Sequence, residues 1–325
     1  MPNKNKFFLG IDGGATKAEA AIISSAGQIL GRSQQPGFML MNRIKPEQAD
    51  CLALLTAEVY KQAGVKPEEI TFACAGMCGV DFPDEHDQQW TDVASAISYP
   101  REKTLLVNDG VAALWGGTYR PQAVLLQSGT EIAAVYRSQL GQEKHFDILN
   151  MGVNFDIRRA LLTTVARMID GREPETPLKA AILEFLKLPE EKFAEAIYKA
   201  RILNDESLVS KEMLTRTMPI IVSQWETEDP AAAELINAVL AEYLVIIGTM
   251  LKKVGSRNVD VIFGGGLIKN ASKTFIEELL NRTEKRFAGC TAKFAELPPS
   301  VGAALLAAYT VGEEIKPLFK NLESY

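Results

Sequence analysis

Two glycine turns set in apolar, strand-like sequence constrain this chain more than any other feature. The first lies in Phe7-Phe8-Leu9-Gly10-Ile11-Asp12-Gly13-Gly14-Ala15-Thr16-Lys17 and leads into Ala18-Glu19-Ala20-Ala21-Ile22-Ile23. An apolar run ending in Asp-Gly-Gly before a second such run predicts two antiparallel strands joined by a tight turn. Asp-Gly is a common hairpin turn, and alone it says no more than that. The neighbouring residues add chemistry. Glycines let backbone N–H groups close on phosphate oxygens. Thr16 and Lys17 offer a hydroxyl and a point charge to the same anion, and Asp12 at the strand end suits a Mg²⁺ ion held through water. The second turn, Ser128-Gly129-Thr130, stands between Ala123-Val124-Leu125-Leu126-Gln127 and Ile132-Ala133-Ala134-Val135-Tyr136. Two like hairpins, each opening one half of the chain, predict two lobes that face one another.

The rest of the sequence is compatible with that plan. A chain of 325 residues, 47% hydrophobic and 23% charged, can build two domains with sizeable cores. A net charge of −6 disfavours nucleic acid or an anionic membrane as a main partner. No uninterrupted apolar run reaches the ~18 residues of a membrane span. Met1 to Lys6 pass straight into the first strand without a signal-peptide pattern. Cys51, Cys74, Cys78 and Cys290 are too few for a disulfide framework. A cytoplasmic location is expected.

In chain order, Gln28 to Ser33 reads as a third strand, broken at Pro36-Gly37, and Phe38-Met39-Leu40-Met41-Asn42 as an unusually apolar loop. That loop is either a buried anchor or a substrate-lining segment with Asn42 as its polar reader. Helical spacing of Leu52, Leu55 and Val59 between Pro46 and Gly64 predicts a helix. A strand over Ile70–Ala75 ends at Gly76, a helix runs from about Pro83 to Ser98, and a strand over Thr104–Val107 ends on Asn108-Asp109-Gly110. This order predicts a mixed sheet flanked by helices. Residues 153–253 read as helical, with a core stripe of Leu235, Val239, Leu240, Tyr243, Leu244 and Ile247. A strand over Val259–Phe263, a tight loop Gly264-Gly265-Gly266 and a helix from Asn270 to Arg286 form a common nucleotide setting. A small-residue helix then begins at Pro298-Pro299-Ser300.

The motifs in this order resemble the phosphate, connecting and adenosine motifs of the actin-like ATPases, and within them the N-acetylglucosamine kinase type of the BadF/BadG/BcrA/BcrD ATPases. The resemblance covers nearly the whole chain. It implies an α/β fold of two lobes with duplicated, ribonuclease H-like sheets and a helical segment in the second lobe. The first lobe would span 1–118 and the second 119–299, with helix 300–325 packing back on the first. ATP with Mg²⁺ would bind in the cleft, and the enzyme would phosphorylate a sugar hydroxyl, the 6-OH of an N-acetylated amino sugar.

Carried over by motif, Asp12 would hold Mg²⁺, and Gly13, Gly14, Thr16 and Lys17 would surround the phosphates. Ser128, Gly129 and Thr130 would close the cleft from the other side, with Gly264, Gly265 and Gly266 against adenosine. Asp109 would take the proton from the sugar hydroxyl, although the same residue could simply cap the following helix. Asn42, Gly76, Asn108 and Asn150 fall where the family holds its sugar. The sequence departs from the family in three places. Ala15 replaces a glycine of the first loop, Glu131 stands where the second loop has glycine, and Asn150-Met151-Gly152 replaces Asp-Glu-Gly. Two other readings stand beside the kinase: a non-catalytic sugar or nucleotide sensor, and the activator ATPase of a radical dehydratase, which Cys74 and Cys78 bring to mind. The partner expected is a small sugar, neither nucleic acid nor membrane, and a pairing of two copies is left open.

Overall fold

A computed structural model describes residues 6–129, 132–145, 157–202, 205, 207–210, 213–214, 216–269 and 271–324. Strands β1 (Phe7–Gly13), β2 (Lys17–Ser24) and β3 (Ile29–Pro36) form an antiparallel meander. Strands β4 (Ile70–Met77) and β5 (Thr104–Asn108) join parallel to β1 on its other side, giving the order β3-β2-β1-β4-β5. The second sheet repeats this topology. Its meander is β6 (Ala123–Ser128), β7 (Ile132–Arg137) and β8 (Glu143–His145), with β9 (Asp260–Gly264) and β10 (Thr291–Phe294) added in parallel, in the order β10-β9-β6-β7-β8. The two glycine turns therefore occupy corresponding places in corresponding sheets.

Helices α1 (Pro46–Ala63) and α2 (Pro83–Ala96) are the crossovers of the first sheet and cover one of its faces. Leu52, Leu55, Val59 and Val93 pack there against Leu9, Ile11, Ala20, Ile22 and Leu106. Helix α1 starts with proline and stops at Gly64, whose φ of 64° is left-handed. The opposite face receives α3 (Asp109–Gly117) and the late helix α11 (Pro299–Thr310), so the chain's end returns to its beginning. Contact there is backbone to backbone. A Cβ built on Gly10 would lie 2.0 Å from the Ser300 carbonyl oxygen, and one on Gly302 would lie 2.1 Å from that of Ala112. Only hydrogen fits at either position.

The second sheet buries its outer face under α4 (Ile157–Ile169), α5 (Pro177–Leu186), α6 (Glu190–Ile202), α7 (Met218–Glu226) and α8 (Pro230–Val254). Leu240, Tyr243 and Ile247 of α8 meet Val124, Leu126 and Phe263 of the sheet in one core. Helix α8, although Glu234 and Glu242 interrupt its apolar run, is apolar and long enough to cross a membrane, but here one side of it packs on protein. The expected loop at Gly264–Gly266 is shorter than read: Gly266 opens the short α9 (Gly266–Lys269). Helix α10 (Lys273–Arg286) begins after Ser272, whose side chain accepts from Phe275 N at 3.2 Å. Gly76 lies within β4 rather than ending it. The single helix expected over 300–325 is two, α11 and the terminal α12 (Ile315–Glu323); strands β8 and β10, of three and four residues, were not anticipated, being too short for a periodic signal.

The stability of the molecule should depend on the α11 contact more than on any exposed element. Gly302→Ala is expected to destabilise by about 1–3 kcal/mol or more, since backbone cannot yield as a flexible side chain can. A denaturant midpoint equal to that of the parent would contradict this packing.

Candidate active site

Among the described residues, Asp12, Gly13, Gly76, Asn108, Asp109, Ser128 and Gly264 lie at or beside the carboxyl ends of parallel strands, where open α/β sheets bind ligands. Asp12, half-buried, leaves β1 in register with Gly76 of β4, which in turn faces Val107 of β5. Directly across the hairpin from Asp12 stands Glu19. Gly14 N donates to the Lys17 carbonyl at 3.0 Å, closing the turn, while Thr16 and Lys17 stay exposed. Lys17 is not extended over the loop. Its Nζ donates to Glu19 at 3.0 Å, and Glu19 also accepts from Arg32 Nη2 at 2.9 Å and Ser300 Oγ at 2.5 Å. Burial alone would push the Glu19 carboxyl up, but the hydrogen bonds from Ser300, Lys17 and Arg32 outweigh it and hold it below the ordinary carboxylate range.

Asp109 opens α3 against β4. A Cβ on Gly76 would lie 2.5 Å from the Ala112 Cβ and 3.5 Å from the Asp109 Cα, so the glycine lets α3 start directly over the strand. The cap reading of Asp109 is corrected here. Asn108 is the N-cap, its Oδ1 accepting from Gly110 N at 2.8 Å, while Asp109 is the first helical residue and accepts from the same N–H at 3.0 Å. The Asn108 amide in turn donates to Asp81 at 2.8 Å. Burial first, and then the negative charge of Asp81, pushes the Asp109 carboxyl up to about 6, against partial relief from Gly110 N and His145.

The apolar loop divides as its sequence suggests. Leu40 is fully buried and anchors it, whereas Met39, Met41 and Asn42 are exposed. Phe38 N donates to Gly14 O and Leu40 N to Cys78 O, setting the loop beside the first turn and the end of β4. Two residues of α2 staple it from behind: buried Gln89 donates to the carbonyls of Met41 and Gly79, and Asp92 accepts from Arg43 and from Ile44 N.

In the second sheet, Ser128 is buried and accepts from Tyr243 Oη at 2.6 Å, so a residue read as core in α8 fixes the turn from beneath. Gly265, with φ of 87°, presses on that turn; a Cβ there would lie 2.3 Å from the Ser128 carbonyl oxygen. Among the described residues, a Cβ on Gly129 meets nothing nearer than Gly266 N at 3.8 Å. Thr130, Glu131 and Asn150 lie outside the described residues.

Both sheets wall a cavity of about 370 Å³ beside Asn108, lined by Val80, Asp81, Phe82, Val111 and His145 among others. His145 of β8 donates its Nε2 hydrogen to the Asp81 carbonyl at 3.3 Å, linking the two sheets. Cys74 is fully buried, and Cys78 lies half-buried below the site, its thiol pushed up to about 12 by burial and by Asp109, Asp81 and Asp12. Protonated thiols are poor metal ligands. Sequence reasoning missed Glu19, Asp81, Gln89 and Asp92. Only Glu19 had left a sign, as a lone charge in an apolar strand.

Residues 9–307 match the model of the BadF/BadG/BcrA/BcrD ATPase family. A curated protein of Clostridium acetobutylicum, N-acetylmuramic acid/N-acetylglucosamine kinase, is 24% identical over 84% of this chain and 89% of its own. The N-acetyl-D-glucosamine kinase of Dictyostelium discoideum is 25% identical over 93% of this chain and 98% of its own. A solved structure from Chromobacterium violaceum, named for N-acetylglucosamine kinase, superposes with a TM-score of 0.67 at 18% identity, covering 93% of this chain and 99% of that one. The two-lobed, duplicated α/β fold is therefore that of the actin-like sugar kinases.

A carboxyl held near 6 rather than its ordinary 3.8 opposes folding when charged. Its folded value is raised, so its contribution is fully favourable below about 3.8 and is lost as pH rises through 6. Asp109→Asn should thus be more stable than the parent by roughly 1–3 kcal/mol at pH 8, with no advantage at pH 3.5. Equal melting temperatures at pH 8 would mean that the carboxylate is solvated.

Proposed function

Because this chain belongs to the BadF/BadG/BcrA/BcrD ATPase family, we propose that it transfers the γ-phosphoryl group of ATP to a sugar hydroxyl, most suitably the 6-OH of N-acetylglucosamine or a related N-acetylated amino sugar. The single observation that carries the reading is Asp109, a carboxyl raised to about 6 at the start of α3, next to Asn108, which lines a cavity together with residues of β5 and β8. The names of the relatives in two organisms point to the same substrate class.

The residues present fit a nucleotide and its ion. The absence of a side chain at Gly129, and at the glycine turn Gly13-Gly14, would let backbone approach phosphate oxygens. Asp12 supplies the hard oxygen donor that Mg²⁺ prefers. The ion would neutralise charge developing on the phosphates. Gly264 to Gly266 would support the adenosine, and Ser128, Gly129 and Thr130 the phosphates from the second sheet. Thr16 and Lys17 would do so from the first, with Lys17 exchanging Glu19 for phosphate.

The protein's own part is proton transfer and positioning. Asp109 would accept the hydroxyl proton as the sugar oxygen forms its bond to phosphorus and the bond to the ADP oxygen breaks. The Gly110 N–H donates to the Asp109 carboxylate and restrains its rotation. Asn108, held between Gly110 and Asp81, fixes the start of the helix, and Asn42, Gly76 and Asn150 would meet the sugar. An amide at position 150 accepts hydrogen bonds but carries no charge, which favours a sugar presenting an acceptor to its N–H₂ group.

ADP release should therefore depend on sugar when the enzyme is offered N-acetylglucosamine, N-acetylmuramic acid, glucosamine and glucose. The plot of kcat/KM should rise with pH through about 6. Asp109→Asn should lower kcat by about 10²–10⁴-fold with little change in ATP affinity. Sugar binding without any turnover across this panel would replace the kinase by the sensor.

A further inference from the structure

Helix α2 holds one buried side chain that packing alone does not call for. Gln89 is 0% exposed, and its Nε2 donates to the carbonyl oxygens of Met41 at 3.2 Å and Gly79 at 3.1 Å. Both partners are acceptors, so the amide nitrogen must face them and both of its hydrogens are used. Its own Oε1 is buried and, among the described residues, has no hydrogen-bond partner. A buried carbonyl left unpaired works against the fold. A side chain that only filled this space could be methionine, without that penalty. The amide is explained by what its two hydrogens hold.

They hold two segments that carry proposed sugar contacts. Met41 precedes Asn42, and Gly79 follows the end of β4, the strand that contains Gly76. The two backbones already touch. Leu40 N donates to the Cys78 carbonyl at 2.9 Å, and a Cβ on Gly79, whose φ is 91°, would lie 2.0 Å from the Leu40 carbonyl oxygen. Glycine permits that approach, and one amide then reaches both carbonyls. Three residues further along α2, Asp92 accepts from Ile44 N at 3.1 Å, from Arg43 Nε at 2.8 Å and from Gln88 Nε2 at 2.8 Å. Asn42 is thus restrained through its neighbours on both sides. It is itself exposed and has no hydrogen-bond partner among the described residues. Fixed main chain around a side chain left to a ligand is what pre-organised recognition needs.

We propose that Gln89, assisted by Asp92, is a positioning residue for the sugar, setting the Asn42 amide in a fixed place against the end of β4. The inference rests on the sugar-kinase reading of the site. Being fully buried, Gln89 acts through the loop and not on the sugar directly. Its effect is confined to the sugar side. Buried Leu40 anchors the loop between Met41 and Phe38, whose N–H bonds to the Gly14 carbonyl, so loosening at Met41 stops short of the first glycine turn.

Initial-rate kinetics of the full chain, with N-acetylglucosamine and ATP varied separately, test this together with calorimetric binding of N-acetylglucosamine. Gln89→Met keeps the length of the side chain and removes both hydrogens together with the unpartnered oxygen. It should raise the KM and Kd for the sugar by about 10- to 100-fold, with kcat and the KM for ATP within about threefold of the parent. The melting temperature should stay within about 4 °C. Asp92→Asn should move the sugar constants in the same direction, and it serves as the test if Gln89→Met does not fold. Unchanged sugar constants in an active enzyme would overturn the proposal and leave the kinase standing. So would a parallel rise in both KM values with a lower melting temperature, since Gln89 would then be structural only. If the parent binds the sugar without turnover, the kinase reading fails and the Kd comparison alone decides the role of Gln89. A parent that neither binds nor phosphorylates N-acetylglucosamine would overturn both.

Discussion

The packing of α11 against β1 and α3 is the constraint on which the rest of the structure depends. Three backbones meet where Gly10 and Gly302 leave no side chain between them, and any larger residue would separate them. The arrangement places α3 against the second sheet as well. A Cβ on Gly110 would lie 2.7 Å from a Val135 methyl, and one on Gly117 would lie 2.5 Å from an Ile262 methyl. One continuous core thus contains residues of both sheets together with α3 and α11. Since Asp109 begins α3, the position of the proposed base is set by the same contact that joins the two halves.

Two carboxylates of the first half of the chain, one on β2 and one at the start of α3, show how local donors decide chemistry. Glu19 is buried, yet three donors keep it ionised, and it serves to tie Lys17, Arg32 and the start of α11 together. Asp109 accepts from the backbone N–H groups of Gly110 and of its own residue, but with the like charge of Asp81 nearby burial prevails and its carboxyl rises. One charge is satisfied and structural. The other is costly to the fold and suited to taking a proton near neutral pH. A third buried charge, Arg137, lies between the lobes' strands, donating to the carbonyls of Thr118 and Arg120, with its guanidinium 5.0 Å from the centre of the Trp115 ring. Burial lowers its value to about 10, which still leaves it charged.

Several features were legible because they are local. The first glycine turn, the crossover helices with their proline starts, the glycine stop of α1 and the repeated order of strands all follow from short-range geometry, and the structure carries each of them. The family resemblance rested on five short motifs whose order is itself a sequence property. The core assignment of the α8 stripe held for Leu235, Val239, Leu240, Tyr243 and Ile247, all buried, because periodicity identifies a face. What it left out was that Tyr243 also grips Ser128.

Other features were decided only in three dimensions. Asn108 and Asp109 are adjacent residues of similar shape, and either could cap α3. Which one does so depends on how β5 delivers the chain and on Asp81, 27 residues away, drawing the Asn108 amide. The pairing of Glu19 with Ser300 spans 281 positions, and no spacing rule reaches that far. The sequence by itself determined the fold class, the two hairpins and the residue types available to bind phosphate and accept a proton. The tertiary structure decided which carboxylate stays charged and which side chain caps, because burial and partnership depend on neighbours that only folding brings together.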